Sequence, residues 1–168
     1  AVIWLNIRSL IPGFVVPYGD IPLDKDKVGE NVYIDILNHA RDFVHIMSLI
    51  LILDGELLHA LKFAAERGVD VSIIMPGIPD KKSAYYLAKT YYPHFGIGVK
   101  IYEYTPGFVH AKVFVSDNSR LFVGTINLDY RSSLITTLSV RPIFTGRHQW
   151  LVLRKISKRQ WPSVIESA

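Results

Sequence analysis

Apolar and polar positions alternate along this chain in short blocks, and the blocks change period. Residues 31–43, NVYIDILNHARDF, place Val32, Ile34, Ile36, Leu37 and Ala40 in a pattern that predicts an amphipathic helix. Residues 44–53, VHIMSLILIL, form an apolar run suited to a strand at a sheet centre. In DGELLHALKFAAERG, residues 54–68, Asp54 is placed to cap a helix, Leu57, Leu58, Leu61 and Ala65 line one face, and Gly68 ends it. VDVSIIMPG, residues 69–77, reads as the next strand, closed by Pro76 and Gly77. DKKSAYYLAKTYYPHFG, residues 80–96, predicts a third helix, and GVKIYEYT, residues 98–105, alternates as a strand. FVHAKVFVSDN, residues 108–118, and RLFVGT, residues 120–125, predict two strands joined by a turn at Asp117–Ser119. Helices alternate with strands before the final strand pair. The predicted fold class is therefore α/β, a mixed β-sheet flanked by helices. No internal repeat or low-complexity segment interrupts it.

Two ends of the chain lie outside this pattern. AVIWLNIRSLIPGFVV is apolar but broken by Asn6, Arg8 and Pro12, so it falls short of the about 20 apolar residues of a spanning helix. It also lacks the features of a signal peptide. Residues 1–15 read as a ragged or divergent segment, and the absence of an initial Met raises the expectation of missing upstream sequence. VPYGDIPLDKDKVGE, residues 16–30, is a turn-rich loop. Residues 1–133 hold 13 Lys+Arg against 14 Asp+Glu, whereas residues 134–168 hold six basic residues and one acid. The whole net charge of +4 thus comes from a basic tail, of a kind that can grip phosphates of nucleic acid or lipid. The chain has no cysteine, which removes disulfides and thiolate metal sites, and its six histidines form no convincing metal-binding pair.

The candidate chemistry sits in the last strand pair. On a strand, His110 and Lys112 project to the same side. A lysine ammonium there is poor filling for a core. Extended to residue 127, the text reads His110, x, Lys112, four residues, Asp117, six residues, Gly124-Thr125, x, Asn127. This pattern resembles the signature of the phospholipase D superfamily. The flanking GVKIYEYTPGFVHAK, GTINLDYRS, VGENVYIDILNHARDFV and LILDGELLHALKFAAERGVDVSIIMPGIPDKK narrow the resemblance to the carboxy-terminal catalytic domain of bacterial cardiolipin synthases. It covers about residues 16–133 and implies a single phospholipase-D-like half-domain.

The resemblance implies roles. His110 would attack phosphorus and form a phosphohistidine. Lys112 would neutralise phosphoryl oxygens, Asn127 would donate hydrogen bonds to them, and Gly124 and Thr125 would assist in holding the phosphate. Asp117, the third residue of the catalytic set, would hold the turn more than perform chemistry. No cofactor and no metal are implied. The implied substrate is a phospholipid, phosphatidylglycerol, and the implied reaction is phosphatidyl transfer between two such molecules. The family works at the bacterial cell membrane; this chain, without a convincing spanning helix, is expected to be soluble or peripheral.

The chain departs from the family in three ways. It has one motif where the family uses two, so a second motif must come from a missing half or a second chain. A TPY stretch expected after the first core strand reads instead within MSLILIL. An acidic residue expected after DYRS is missing from SLITTLSVRPIFTGRHQW. Residues 134–168 therefore read as a divergent basic tail, with a shifted reading frame as the simplest source. Two alternatives stay open: a homodimeric phosphodiesterase or nuclease of the same superfamily, for which nucleic acid would be a partner, and an inactive remnant. His39, His45, His59 and His94 read as surface or strand residues. Tyr85, Tyr86, Tyr91 and Tyr92 could line an acyl or headgroup channel, and core packing explains them equally.

Overall fold

The computed structural model describes residues 16, 18–19, 27–96, 98–117, 119–125, 128–129, 143–144 and 164–166. Residues 1–15, Asn127 and most of the tail lie outside them. The order is α1 (Val28–His39), β1 (Phe43–Met47), β2 (Leu51–Ile52), α2 (Gly55–Glu66), β3 (Asp70–Pro76), α3 (Lys82–Tyr91), a 3-10 turn (Tyr92–Phe95), β4 (Val99–Tyr104), β5 (Val113–Ser116), β6 (Arg120–Val123), β7 (Leu128–Asp129), β8 (Ile143–Phe144) and β9 (Val164–Glu166). Seven strands form one mixed sheet in the order β8-β6-β5-β1-β3-β4-β9, and β2 and β7 pair separately. β1, β3 and β4 are parallel, β5 runs antiparallel to β1, and β6 pairs antiparallel with β5 to close a hairpin. The tail residues 143–144 pair with β6 and residues 164–166 with β4, one at each sheet edge.

Of the parallel strands, β3 carries a near-continuous apolar run because both of its faces are covered; every residue after Asp70 is buried, whereas burial alternates along β1 and β4 holds one buried residue. From α1, Tyr33 stacks on Phe114 of β5, ring centroids 4.3 Å apart, and meets Phe122 of β6 edge-on at 4.8 Å. This aromatic trio fixes the hairpin against the helix layer. α2 begins as its sequence requires: the Asp54 carboxylate accepts a hydrogen bond from Leu57 N at 3.0 Å. It ends at Gly68, whose φ of +89° favours glycine.

Two predicted strands are shorter than the sequence suggests. The apolar run 44–53 is not one strand. Ser48 Oγ donates to Ile50 O at 2.8 Å, turning the chain out of the main sheet before β2. β5 begins at Val113 rather than at residue 108. Gly124 N still donates to Lys112 O at 3.0 Å, so the ladder runs one bond beyond the strand. β6 ends at Val123, and the carbonyl of His110 accepts instead from Lys112 Nζ at 2.8 Å.

Candidate active site

His110, Lys112 and Gly124 lie where the parallel strands end. β5 pairs antiparallel with β1 and Met47 lies opposite Val113, so residues 110–112 come in over the carboxyl end of β1. The end of β3 is tied to its neighbours: Ser48 N donates to Ile74 O at 3.2 Å and Gly77 N to Tyr104 O at 2.8 Å. The second approach requires glycine, because a Cβ at Gly77 would sit 2.7 Å from Tyr104 O. Crevices at the carboxyl ends of such strands are the usual ligand sites of open α/β sheets.

At this edge Lys112 is buried, with 5% of its surface exposed. Its ammonium makes one hydrogen bond among the described residues, to the His110 carbonyl. Loss of solvent lowers its pKa from the ordinary lysine value, and the charge of Asp80 acts in the opposite direction. A buried ammonium with a single neutral acceptor retains donors for an anion. His110 is exposed, and its ring lies 6.1 Å from that of Phe108, nearly parallel to it. No hydrogen bond to the His110 ring forms among the described residues. Gly124 is bonded to Lys112 through the backbone, and the exposed Thr125 follows it.

Asn127 lies outside the described residues, but both sides of it are anchored. On one side is the Gly124–Lys112 bond. On the other, Leu128 N donates to Ser48 Oγ at 3.3 Å and Leu128 pairs with Leu51 across β2 and β7. Ser48 is itself 1% exposed. It is the polar residue within MSLILIL, and that isolation was the only sign in the sequence of its position. Gly77 and Asp80 carry no signal beyond turn composition, and Phe108 reads as the start of a strand.

Asp117 is at the other end of β5. Its carboxylate accepts from three backbone amides: Arg41 N at 2.7 Å, and Asp42 N and Phe43 N at 2.9 Å each. Its own amide donates to Phe43 O at 3.2 Å, and its φ is +50°. It thus pins the entry to β1, four strand residues away from Lys112. Two of the other described histidines have carboxylate neighbours of their own. His39 pairs with Asp35 in its own helix at 3.0 Å, and His45 lies 3.6 Å from Asp70, its pKa lowered by burial against the pull of that carboxylate.

A family profile described as "Cardiolipin synthase, PLD-like domain" matches residues 33–137. An uncharacterized protein of Streptococcus mutans is 70% identical over 129 residues, covering 76% of this chain and 28% of that protein. Cardiolipin synthase 2 of Bacillus anthracis is 39% identical over 112 residues, covering 66% of this chain and 22% of that protein. The chain thus spans about a quarter of the length of these relatives. Among solved structures, a phospholipase D family member, Nuc from Salmonella typhimurium, superposes with a TM-score of 0.69 at 17% identity, over 82% of this chain and 89% of that one. The phosphatidylserine synthase of Haemophilus influenzae superposes with a TM-score of 0.72 at 15% identity, over 92% of this chain and 40% of that one.

Proposed function

For a chain that belongs to the family of the cardiolipin synthase PLD-like domain, we propose one catalytic half of a phosphatidyltransferase that joins two phosphatidylglycerol molecules through a phosphohistidine on His110. The observation that carries this reading is the buried Lys112 ammonium, whose one hydrogen bond among the described residues goes to the carbonyl of His110. It is a desolvated cation with spare donors, held by the backbone of the residue that carries an exposed imidazole, and attack on a phosphodiester requires both groups.

In the first step a ring nitrogen of His110 forms a bond to phosphorus and the bond to the terminal glycerol oxygen breaks. That oxygen takes a proton from a second histidine, supplied by a second half-site, and glycerol leaves. In the second step the terminal hydroxyl of another phosphatidylglycerol attacks the phosphohistidine, gives its proton to the second histidine, and releases cardiolipin. Lys112 meets the charge on the non-bridging oxygens in both steps, with Thr125 and Asn127 as further donors. Gly124 sets the approach of the backbone. Asp117 acts at a distance by fixing the strand that carries the pair. The second half-site comes from another domain of a longer chain or from another copy.

A second reading, a homodimeric phosphodiesterase, draws on one observation: this chain spans 89% of a solved phospholipase D family member of comparable size. The two are separated by mixing the chain, alone and with a complementary half, with phosphatidylglycerol vesicles and following lipid products by mass spectrometry. Cardiolipin that forms with the complementary half and vanishes with His110→Ala supports phosphatidyl transfer. Cardiolipin formation untouched by His110→Ala overturns it, and release of phosphatidic acid by a dimer of this chain alone favours the second reading.

A further inference from the structure

The two loops that frame the site also expose apolar surface. After β3, residues 78–83 are exposed without a break, and Ile78 keeps 46% of its surface in solvent. After β4, Phe108 keeps 53%, two residues before His110. Exposed apolar side chains are ordinary when they are scattered. These two belong to loops that leave the sheet side by side, because the Gly77–Tyr104 contact joins their backbones just before each departs.

The ground around Ile78 has the same character. A mostly apolar cleft lies against its loop, lined by Leu49, Ile50, Pro76, Pro79, Ala84 and Tyr85. Lys81, also on the cleft wall, and Lys82 are exposed and enter no ion pair among the described residues. The one acid of the loop, Asp80, acts on Lys112. One edge of the molecule therefore combines apolar tips, unpaired cations and the exposed imidazole of His110. A partner that offers anionic phosphates directly above an apolar layer fits all three, and an anionic phospholipid surface has that layering.

The geometry points to loops 77–83 and 105–110 as a membrane-docking edge: Ile78 and Phe108 enter the acyl boundary of an anionic bilayer, and Lys81 and Lys82 lie at its phosphates. His110 then meets a headgroup phosphate where the lipid resides. This rests on the phospholipid reading of the site, but docking requires no turnover, so the two fail separately.

The chain contains no cysteine, so a single introduced one takes a polarity-sensitive fluorophore uniquely. Phe108→Cys and Ile78→Cys are labelled, with Glu66→Cys at the exposed end of α2 as the reference. On vesicles of phosphatidylglycerol in phosphatidylcholine, labels at 78 and 108 should shift to the blue and the label at 66 should not. In flotation assays Ile78→Asp with Phe108→Asp should weaken binding by about tenfold or more. Glu66→Gln, at the exposed end of α2 and outside the docking edge, should bind as wild type. Neutralising Arg154, Lys155, Lys158 and Arg159 to Gln should weaken binding less than the loop pair does. Because residues 78 and 108 are exposed, an unchanged circular dichroism spectrum is expected for the loop variants and verifies folding. The proposal is overturned if the chain does not float with the vesicles, if labels at 78 and 108 stay water-like on bound protein, or if only the tail variant loses binding. Docking without cardiolipin formation would instead count against the proposed chemistry alone.

Discussion

The two ends of β5 treat their polar residues in opposite ways. At the carboxyl end, Asp117 spends its carboxylate on three amides at the entry to β1. At the amino end, among the described residues, buried Lys112 has one hydrogen-bond partner, a carbonyl, and the His110 ring has none. The signature therefore joins a saturated residue to unsaturated ones. Saturation stabilises a fold, whereas unused capacity on a desolvated cation is available to a ligand. Substitutions at the two ends should then divide cleanly between stability and activity.

The largest expected effect is at His110. His110→Ala should lower phosphatidyl transfer by more than about 1,000-fold, since no other group replaces the nucleophile. Its melting temperature should stay close to wild type, because exposed substitutions of this kind cost within about 0.5 kcal/mol. Lys112→Met should reduce transfer by about 100- to 1,000-fold, the range for removing a donor to a developing oxyanion. Stability should hold or rise, because a buried charge with little compensation is removed. The lowered pKa of Lys112 has a sign: its ammonium is lost, and transfer falls, as pH rises through a value below the ordinary 10.5. Lys112→Arg should move that alkaline limb upward in a pH–rate profile.

Asp117→Ala should show the reverse signature. Three amides lose their acceptor, and a cost of about 2–4 kcal/mol in urea unfolding is expected, with transfer by the folded fraction largely kept. Ser48→Ala should cost less, about tenfold in turnover, through loss of the hydrogen bond that holds Leu128; Ser48→Thr should restore it, which a packing role alone would not require.

The smallest effect tests the frame. Glu30 is buried in the first turn of α1, and burial, with the Asp54 carboxylate beside it, raises its pKa to about 7 against the pull of Lys27. A raised pKa means that the folded state keeps a proton the unfolded chain releases. Stability from this group is full below the model-peptide value of 4.5 and declines as pH rises through about 7. Denaturation of Glu30→Gln across that range should show a flatter pH dependence than wild type.

Sequence patterning exposed the helices because their signals are local: Asp54 caps α2 and Gly68 closes it as the residue types dictate. The parallel strands are equally legible, β1 and β3 from apolar runs and β4 from its alternation. The break at Ser48 was not, since a turn made by one hydroxyl leaves apolar periodicity untouched. Nor was the early end of the β5 ladder, which depends on where its partner β6 stops. The chemical pattern from His110 to Asn127 is legible because it is a spacing within one short stretch of chain. What the sequence could not supply was neighbours from distant segments. Asp80, Ser48 and the amides of 41–43 reach the motif only through the sheet.

The central claim is that His110 carries the phosphatidyl group. Acid-quenched reactions with phosphatidylglycerol, with the complementary half present, should yield a phosphorus-linked adduct on the His110 peptide by mass spectrometry, and none with His110→Ala. Steady cardiolipin formation with no adduct on that peptide, or an adduct that survives His110→Ala, would contradict it.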